Sequence, residues 1–490
     1  MTSEPYDLLI IGAGINGAGL ARDAAGRGLS VALVDKGDLG GGTSAASTKL
    51  IHGGLRYLEF YEFALVRKAL AERETILRIA PHLAYPMPFV LPMSKGTRPS
   101  WMIRAGLFLY DHLARREAFP DSAKIDLGRD PAGRILDPEY SKAFRYWDGW
   151  VDDSRLVVLN CMDARRRGAE IIPRDGVASA RFDGTLWHAK LESGRTLTAR
   201  RIVNCAGPWA EEVARGVLGV NDAPSLDLVQ GSHIVVPRIG GHTDAYMLQQ
   251  PDGRIIFLIP YMDAFTLIGT TETRIATPGD AGITDEEESY LLTAANRFLR
   301  AALSSADVVA SFAGIRPLVH EDDKSARETS RGWKLRDHAG VPALSVVGGK
   351  LTTYRLLAED ILERLAPGTQ PWTAEAPLPG GDIPRPPGLD PAEAFDRWLA
   401  ALQATHAEIA PDTVRHLARR YGTRALPLLE GGLGEPVGTL FAAEIDMLVV
   451  EEWATAADDI LWHRTKAGLL FSDADRDKLE QRMNKSATSA

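Results

Sequence analysis

Within its first 35 residues the chain holds a short apolar run (7–11), glycines at 12, 14 and 17, a stretch of good helix formers (18–28) and a second β-branched apolar run (30–35). Strand, glycine turn, helix and strand in about 30 residues make a βαβ unit, which commits the chain to a buried parallel sheet. Each position of the G-x-G-x-x-G spacing has its own reason. Gly12 permits the tight turn, Gly14 lets backbone approach a pyrophosphate, and Gly17 allows helix and strand to pack closely. The free N–H groups of the helix start face the anion. Asp35 closes the second strand 18 residues beyond Gly17, where a carboxylate can accept a ribose hydroxyl. A dinucleotide is the expected ligand.

Two further stretches bear on which dinucleotide. Residues 40–47 (GGGTSAAS) are small and hydroxyl-rich, and residues 204–209 (NCAGPW) leave a strand and begin a helix. Several separated backbone approaches suit a long, extended ligand, so FAD fits better than NAD. Later β-like runs at 201–205, 233–236, 255–259, 265–269 and 343–347 imply mixed sheet. Thr284 and Glu287 have capping-box spacing and open a helix predicted to run to about Leu303. The Pro/Gly-rich stretch 377–391 reads as an interdomain linker. Only helix-like segments follow it (392–406, 412–421, 441–453, 455–470 and 473–483), before a small polar tail expected to be disordered.

Composition narrows the function. The 490 residues carry 56 Lys+Arg against 65 Asp+Glu, a net charge of −9, so nothing attracts the chain globally to nucleic acid. Cys161 and Cys205 are the two cysteines, too few for a zinc ribbon or a cysteine-ligated iron–sulfur centre, and no metal site is expected. They fit a reducing cytosol. The N-terminus lacks a basic region and enters a strand directly, which predicts no signal peptide. Apolar stretches are broken by charge, as at Arg104 within 101–109, so no membrane span is expected.

Residues 11–28 (IGAGINGAGLARDAAGRG) and 348–358 (GGKLTTYRLLA) resemble the two signatures of FAD-dependent glycerol-3-phosphate dehydrogenases, and 47–59, 311–319 and 458–469 are similar to further segments of that family. The likeness covers essentially the whole chain. The anaerobic type carries a cysteine-rich C-terminal region that two cysteines cannot supply, and the mitochondrial type adds EF-hands whose loop pattern is missing here. The oxygen-reducing oxidases are longer. The aerobic, quinone-reducing bacterial type remains. The resemblance implies an α/β fold, with an FAD-binding Rossmann-like body of the glutathione-reductase and D-amino-acid-oxidase kind. An FAD domain over 1–80, 150–215 and 335–376 would be joined by a mixed-sheet substrate domain over 81–149 and 216–334. The linker 377–391, an all-α domain over 392–483 and the tail 484–490 would complete the chain.

The reaction implied is oxidation of glycerol 3-phosphate to dihydroxyacetone phosphate. A phosphomonoester carries close to two charges and three acceptor oxygens, so several cations must converge on it. By resemblance Arg56, Tyr57, Arg331 and Lys350 hold the phosphate end and Arg316 the substrate near the flavin, with Thr271 as an added hydroxyl. His52, in an I-H-G-G turn, is the candidate proton acceptor and His233 its competitor. Lys350, after two glycines and before a helix, can also stabilise negative charge on the flavin, although a solvated loop lysine is the plain alternative. The cofactor-binding set takes in Gly12, Gly14, Ile15, Asn16, Gly17, Asp35 and Lys36 from the βαβ unit. The next loop and turn add Thr43, Ser44, Ser47, Lys49, Leu50, His52, Gly53 and Gly54. Val177, Ala206, Gly207, Trp209, Gly349, Leu351, Thr352 and Thr353 complete it.

The acceptor implied is ubiquinone, and the location implied is cytoplasmic, bound peripherally to the inner face of the membrane as a homodimer. Residues 101–116 have an apolar face with Arg104, Arg115 and Arg116 at its margins, the pattern of an interfacial helix but more commonly of one packed on the body, so the membrane expectation rests mainly on the resemblance. A soluble oxidase using oxygen, or a related enzyme with another substrate, is the competing expectation.

Overall fold

The computed structural model describes residues 4–93, 99–319 and 332–489. Strand β1 (Tyr6–Ile11), helix α1 (Ile15–Gly26) and strand β2 (Val31–Val34) form the expected unit, with β1 and β2 parallel. All four residues of β2 and the last four of β1 are buried, as a sheet covered on both faces requires. Around them lies an eight-stranded sheet. Its path runs from Trp333–Asp337 through Ala343–Gly348 and Thr196–Asn204 to β1, β2 and Glu170–Ile172, and the hairpin Val177–Phe182/Trp187–Leu191 branches from Thr196–Asn204. Helices α1, Asp153–Arg166 and Tyr354–Leu365 pack on one face around a core that includes Leu20, Leu156 and Leu357.

A second, ten-stranded sheet is mixed. Its long antiparallel pairs are Ala84–Pro92 with Lys142–Val151 and Leu226–Pro237 with Ala310–Val319. The runs at 255–259 and 265–269 fall in paired strands Ile255–Tyr261 and Phe265–Gly269. Thr284 does cap a helix, its Oγ1 accepting from Glu287 N at 3.2 Å, but that helix is Asp285–Asn296. The chain turns away seven residues short of Leu303, where Asn296 bonds the Leu303 backbone at both its N–H and its carbonyl.

Beyond residue 390 the chain is helical apart from a two-stranded hairpin, Pro436–Val437 with Leu440–Phe441. The stretch 455–470, read as one helix, is a π-helical turn (Asp459–Arg464) and a 3-10 turn (Ala467–Leu470) separated at Lys466, whose φ is +60°. The proline-rich stretch 377–391 is packed rather than free: Leu378 is buried and its N–H donates to Ile79 O at 2.8 Å. Residues 484–489, expected as a disordered tail, continue the helix Asp473–Ser489. No helix among the described residues is long and apolar enough to cross a membrane.

Candidate active site

One cavity of about 990 Å³ runs from the glycine turn to the second sheet. At its nucleotide end Gly12 has φ +104°, and a Cβ there would lie 2.6 Å from the Cys205 carbonyl oxygen, so only glycine fits. A Cβ on Gly14 would meet Ser44 Oγ at 3.2 Å. Ser44 Oγ also accepts from Ile15 N, at 3.0 Å. Gly14, just before helix α1, offers no side chain to cap it, and the first turn holds no acidic residue, which leaves this end suited to an anion. Asp35 accepts from Ala13 N (2.6 Å) and Gly37 N (2.8 Å). Burial pushes its carboxyl up despite those two bonds. Asn16 donates to Gly348 O while its buried Oδ1 has no protein partner. A bare glycine cradle, a helix start and an orphaned acceptor fit a dinucleotide.

Most of the anticipated cofactor set lines this cavity. The wall carries Gly12, Gly14, Ile15, Asn16, Asp35 and Lys36, then Thr43, Ser44, Ser47, Leu50, His52 and Gly54. Val177, Ala206, Gly207, Trp209, Gly349, Leu351 and Thr352 complete it. Lys36 Nζ sits 4.4 Å from the Trp209 ring centroid, a cation–π contact. Four anticipated residues stand behind the wall. Gly17 is a packing glycine, since a Cβ would lie 1.9 Å from Gly12 O. Gly53 donates to Tyr110 Oη at 2.8 Å, Thr353 is buried at a helix start, and Lys49 is buried in an ion pair with Asp153 (3.0 Å).

At the other end the wall carries His52, Arg56, Tyr57, His233, Arg316 and Lys350, residues from four separate stretches of sequence. Lys350 Nζ lies 3.9 Å from the Tyr57 ring centroid. Arg316 reaches over Gly231, where a Cβ would come within 3.0 Å of its Nη2. His233 is stacked on Phe312 with centroids 4.9 Å apart, and its Nε2 is 3.0 Å from Thr48 Oγ1. Burial, with Lys49 and Arg316 nearby, pulls its pKa down to about 3. Thr271 is not at the cavity. It is buried, donates to Glu287 at 2.6 Å and accepts from Ser232 N, so it braces the turn rather than touching substrate. Arg331 lies outside the described residues.

Several wall residues carried no sequence signal. Arg254 and Lys334 add cations, Glu272 an acid, and Phe89 and Tyr146 apolar surface. Lys334 comes from the edge strand Trp333–Asp337 of the first sheet and the others from strands or turns of the second, all with the local pattern of any amphipathic strand. Asp148 also reaches the wall, but accepts from Tyr110 Oη (2.8 and 2.9 Å) and Arg73 (2.7 Å). Through Tyr110 it holds Gly53, and with it the His52–Gly54 turn.

Comparison with known proteins settles the family. Residues 7–355 match the FAD-dependent oxidoreductase family, and residues 371–485 match the C-terminal domain of alpha-glycerophosphate oxidase. A glycerol-3-phosphate dehydrogenase of Pseudomonas aeruginosa is 46% identical over 98% of this chain and 95% of its own length. The chain belongs to the FAD-dependent glycerol-3-phosphate dehydrogenase family. A D-erythritol 1-phosphate dehydrogenase of Brucella abortus is 44% identical over 96% of both chains. The glycerol-3-phosphate dehydrogenase of Bacillus halodurans, solved with FAD, superposes with a TM-score of 0.74 at 27% identity, over 100% of this chain and 96% of that one. As a member of this family the protein is an FAD-dependent oxidoreductase acting on a CH–OH donor, with the α/β body and helical C-terminal domain described above.

Proposed function

We propose that the protein oxidises sn-glycerol 3-phosphate to dihydroxyacetone phosphate, with ubiquinone in the membrane as electron acceptor. The observation that carries the reading is the meeting, at the far end of the dinucleotide cavity, of Arg56, Arg316 and Lys350 with two histidines. FAD supplies the hydride acceptor at N5. Arg56 and Lys350 bind the phosphate, each charge-assisted bond contributing about 1.5–3 kcal/mol, and Tyr57 holds Lys350 from beneath. Arg331 joins this set by resemblance. Arg316, on strand Ala310–Val319, orients the carbinol end and offsets negative charge that develops near the flavin.

The carbinol proton must leave with the hydride, and His52 accepts it. Its turn is fixed from behind by the Gly53–Tyr110–Asp148 bonds. His233, neutral and weakly basic in its buried stack, shapes the substrate wall instead. Water is limited by Phe89, Tyr146 and Phe257 on the second sheet.

The membrane reading rests on an exposed apolar patch. Trp101 (70% exposed) and Phe108 (60%) on helix Ser100–His112 lie beside the segment Leu55–Phe60, followed by Tyr61 (80%). Exposed Arg67 and Lys68 lie on helix Phe63–Ile79, Arg104 on the helix that carries Trp101 and Phe108, and Arg115 just past its end, a combination that suits an anionic lipid surface. Phe60 belongs both to this patch and to the cavity wall, which supports a lipid-facing side close to the chemistry.

Anaerobic addition of glycerol 3-phosphate to the purified holoenzyme tests the substrate. Bleaching of the visible flavin band, reversed quickly by a ubiquinone analogue and slowly by oxygen, is expected. Fast recovery with oxygen would make it an oxidase. Bleaching by D-erythritol 1-phosphate at a clearly higher kcat/KM would move the substrate to that of the Brucella relative.

A further inference from the structure

Asp38, three residues beyond Asp35, is buried against the C-terminal domain. Arg464 donates to both its oxygens, at 2.7 and 2.8 Å, and His463 Nδ1 lies 2.6 Å from Oδ2. Burial pushes the Asp38 carboxyl up, but the bonds from Arg464 and His463 outweigh it and hold the group well below the usual carboxylate range. Asp38 is therefore an anion tied to two groups of the C-terminal domain.

Two more ties flank this one. Arg174, just past strand Glu170–Ile172, donates to Asp459, whose other oxygen accepts from the N–H groups of Thr455 and Ala456 at 2.8 and 2.9 Å. Lys466 Nζ lies 2.9 Å from Asp153 Oδ1, while Asp153 Oδ2 takes Ser47 Oγ (2.7 Å) and Lys49 Nζ (3.0 Å). Two loops that border the cofactor cavity, at Asp38 and Arg174, and through Asp153 a third at Ser47, are thus fastened to one short C-terminal segment.

That segment also reaches the cavity. Asp458, Asp459 and His463 stand on its wall with Lys36, Gly37 and Gly41. A Cβ on Gly41 would lie 3.3 Å from His463 Cε1. With Nδ1 committed to Asp38, Nε2 is the ring nitrogen left for a ligand. Asp38, Asp459 and His463 bring their ligating atoms within 4.8 Å of one another, yet Arg464 and Arg174 already neutralise both carboxylates, so the group is an ion-paired clasp rather than a cation site. The glycine turn places the pyrophosphate, and Lys350 and His52 mark the flavin end. Residues 36–41 lie beyond Asp35 and so at the adenosine end.

We propose that the C-terminal domain completes the cofactor site: residues 455–466 close the adenosine end of the FAD pocket, with His463 and Asp459 against the nucleotide and Arg464 and Lys466 bracing the loops it lies along. Release of FAD then requires this segment to open, and bound FAD in turn holds the C-terminal domain in place, because the coupling is reciprocal. This inference rests on the family's cofactor and not on the identity of the substrate.

The test reads cofactor binding directly. His463→Ala and Asp459→Asn are expected to speed FAD release from the full-length holoenzyme at least tenfold, followed by the rise in flavin fluorescence, and to weaken ADP binding to the FAD-depleted chain. In the wild type, reloading the depleted chain with FAD is expected to slow amide exchange across 455–466 while leaving helix Asp285–Asn296, which packs on the second sheet, unchanged. Unaltered release and ADP affinity in variants with wild-type circular dichroism would overturn the proposal. So would exchange across 455–466 that ignores FAD, a result that holds even where a variant does not fold.

Discussion

His52 and His233 share a cavity wall, and their neighbours separate their roles. Lys49 and Arg316 add positive charge to the burial that keeps His233 neutral, with a pKa of about 3, so it cannot produce a limb in a rate profile between pH 5 and 8. Replacing His52 by Ala is expected to slow anaerobic flavin bleaching by about 10²–10⁴-fold, the usual weight of a general base, with FAD content retained. His233→Asn is expected to change KM more than kcat and to leave the pH profile where it was. The reverse pattern would assign the proton to His233. At Gly12 the argument is steric: φ +104° and a carbonyl 2.6 Å from any added Cβ predict that Gly12→Ala yields a colourless chain, read simply from its absorbance at purification. Thr271 carries the opposite lesson. Its place in an I-G-T-T-E-T turn beside the site suggested a ligand contact, but Glu287, 16 residues on, takes its hydroxyl, a partner that no local pattern reveals.

Helix Asp285–Asn296 shows which parts of an element are local. Its start was legible, because Thr284 and Glu287 satisfy each other's backbone donors across three residues. Its end was not, because Asn296 stops it by bonding Leu303. Thr284→Ala is expected to cost about 1 kcal/mol, seen as a lower urea midpoint at unchanged slope. Helix Ser100–His112 poses the converse problem. Its apolar stripe suits a packed helix or a lipid-facing one, and only the fold shows that Leu107 and Tyr110 face inward while Trp101 and Phe108 remain exposed. The double variant Trp101→Ser, Phe108→Ser is expected to lose at least tenfold in binding to anionic vesicles while glycerol 3-phosphate still bleaches the flavin at the wild-type rate. Retained vesicle binding would remove this helix from the membrane surface.

Across the whole molecule, buried ion pairs join the C-terminal domain to the body. Glu452 takes Arg155 and Arg424, and Asp153 takes Lys49 and Lys466. Burial raises both acids, but the cations prevail and bring each to about 2, from 4.5 and 3.8. Since the folded pKa lies below the unfolded one, the stability these acids supply is present above about pH 4.5 and is lost as pH falls toward 2. Acid titration followed by flavin fluorescence and circular dichroism is expected to show FAD release in that window. Glu452→Gln should begin less stable and lose stability less steeply with pH, since Arg155 and Arg424 stay buried without their anion.

The dinucleotide site could be read from the chain because its requirements are local: a turn without Cβ atoms, a helix start and a carboxylate one strand later all fall within 35 residues. The two long signatures extended that reading to the family and to Lys350. The cation set at the substrate end, the bracing of His52 by Tyr110 and Asp148, and the clasp of Asp38, Arg464 and His463 join residues separated by up to 426 positions. Such groups meet only when packing brings distant elements together and removes the water between them, and that condition is a property of the folded chain.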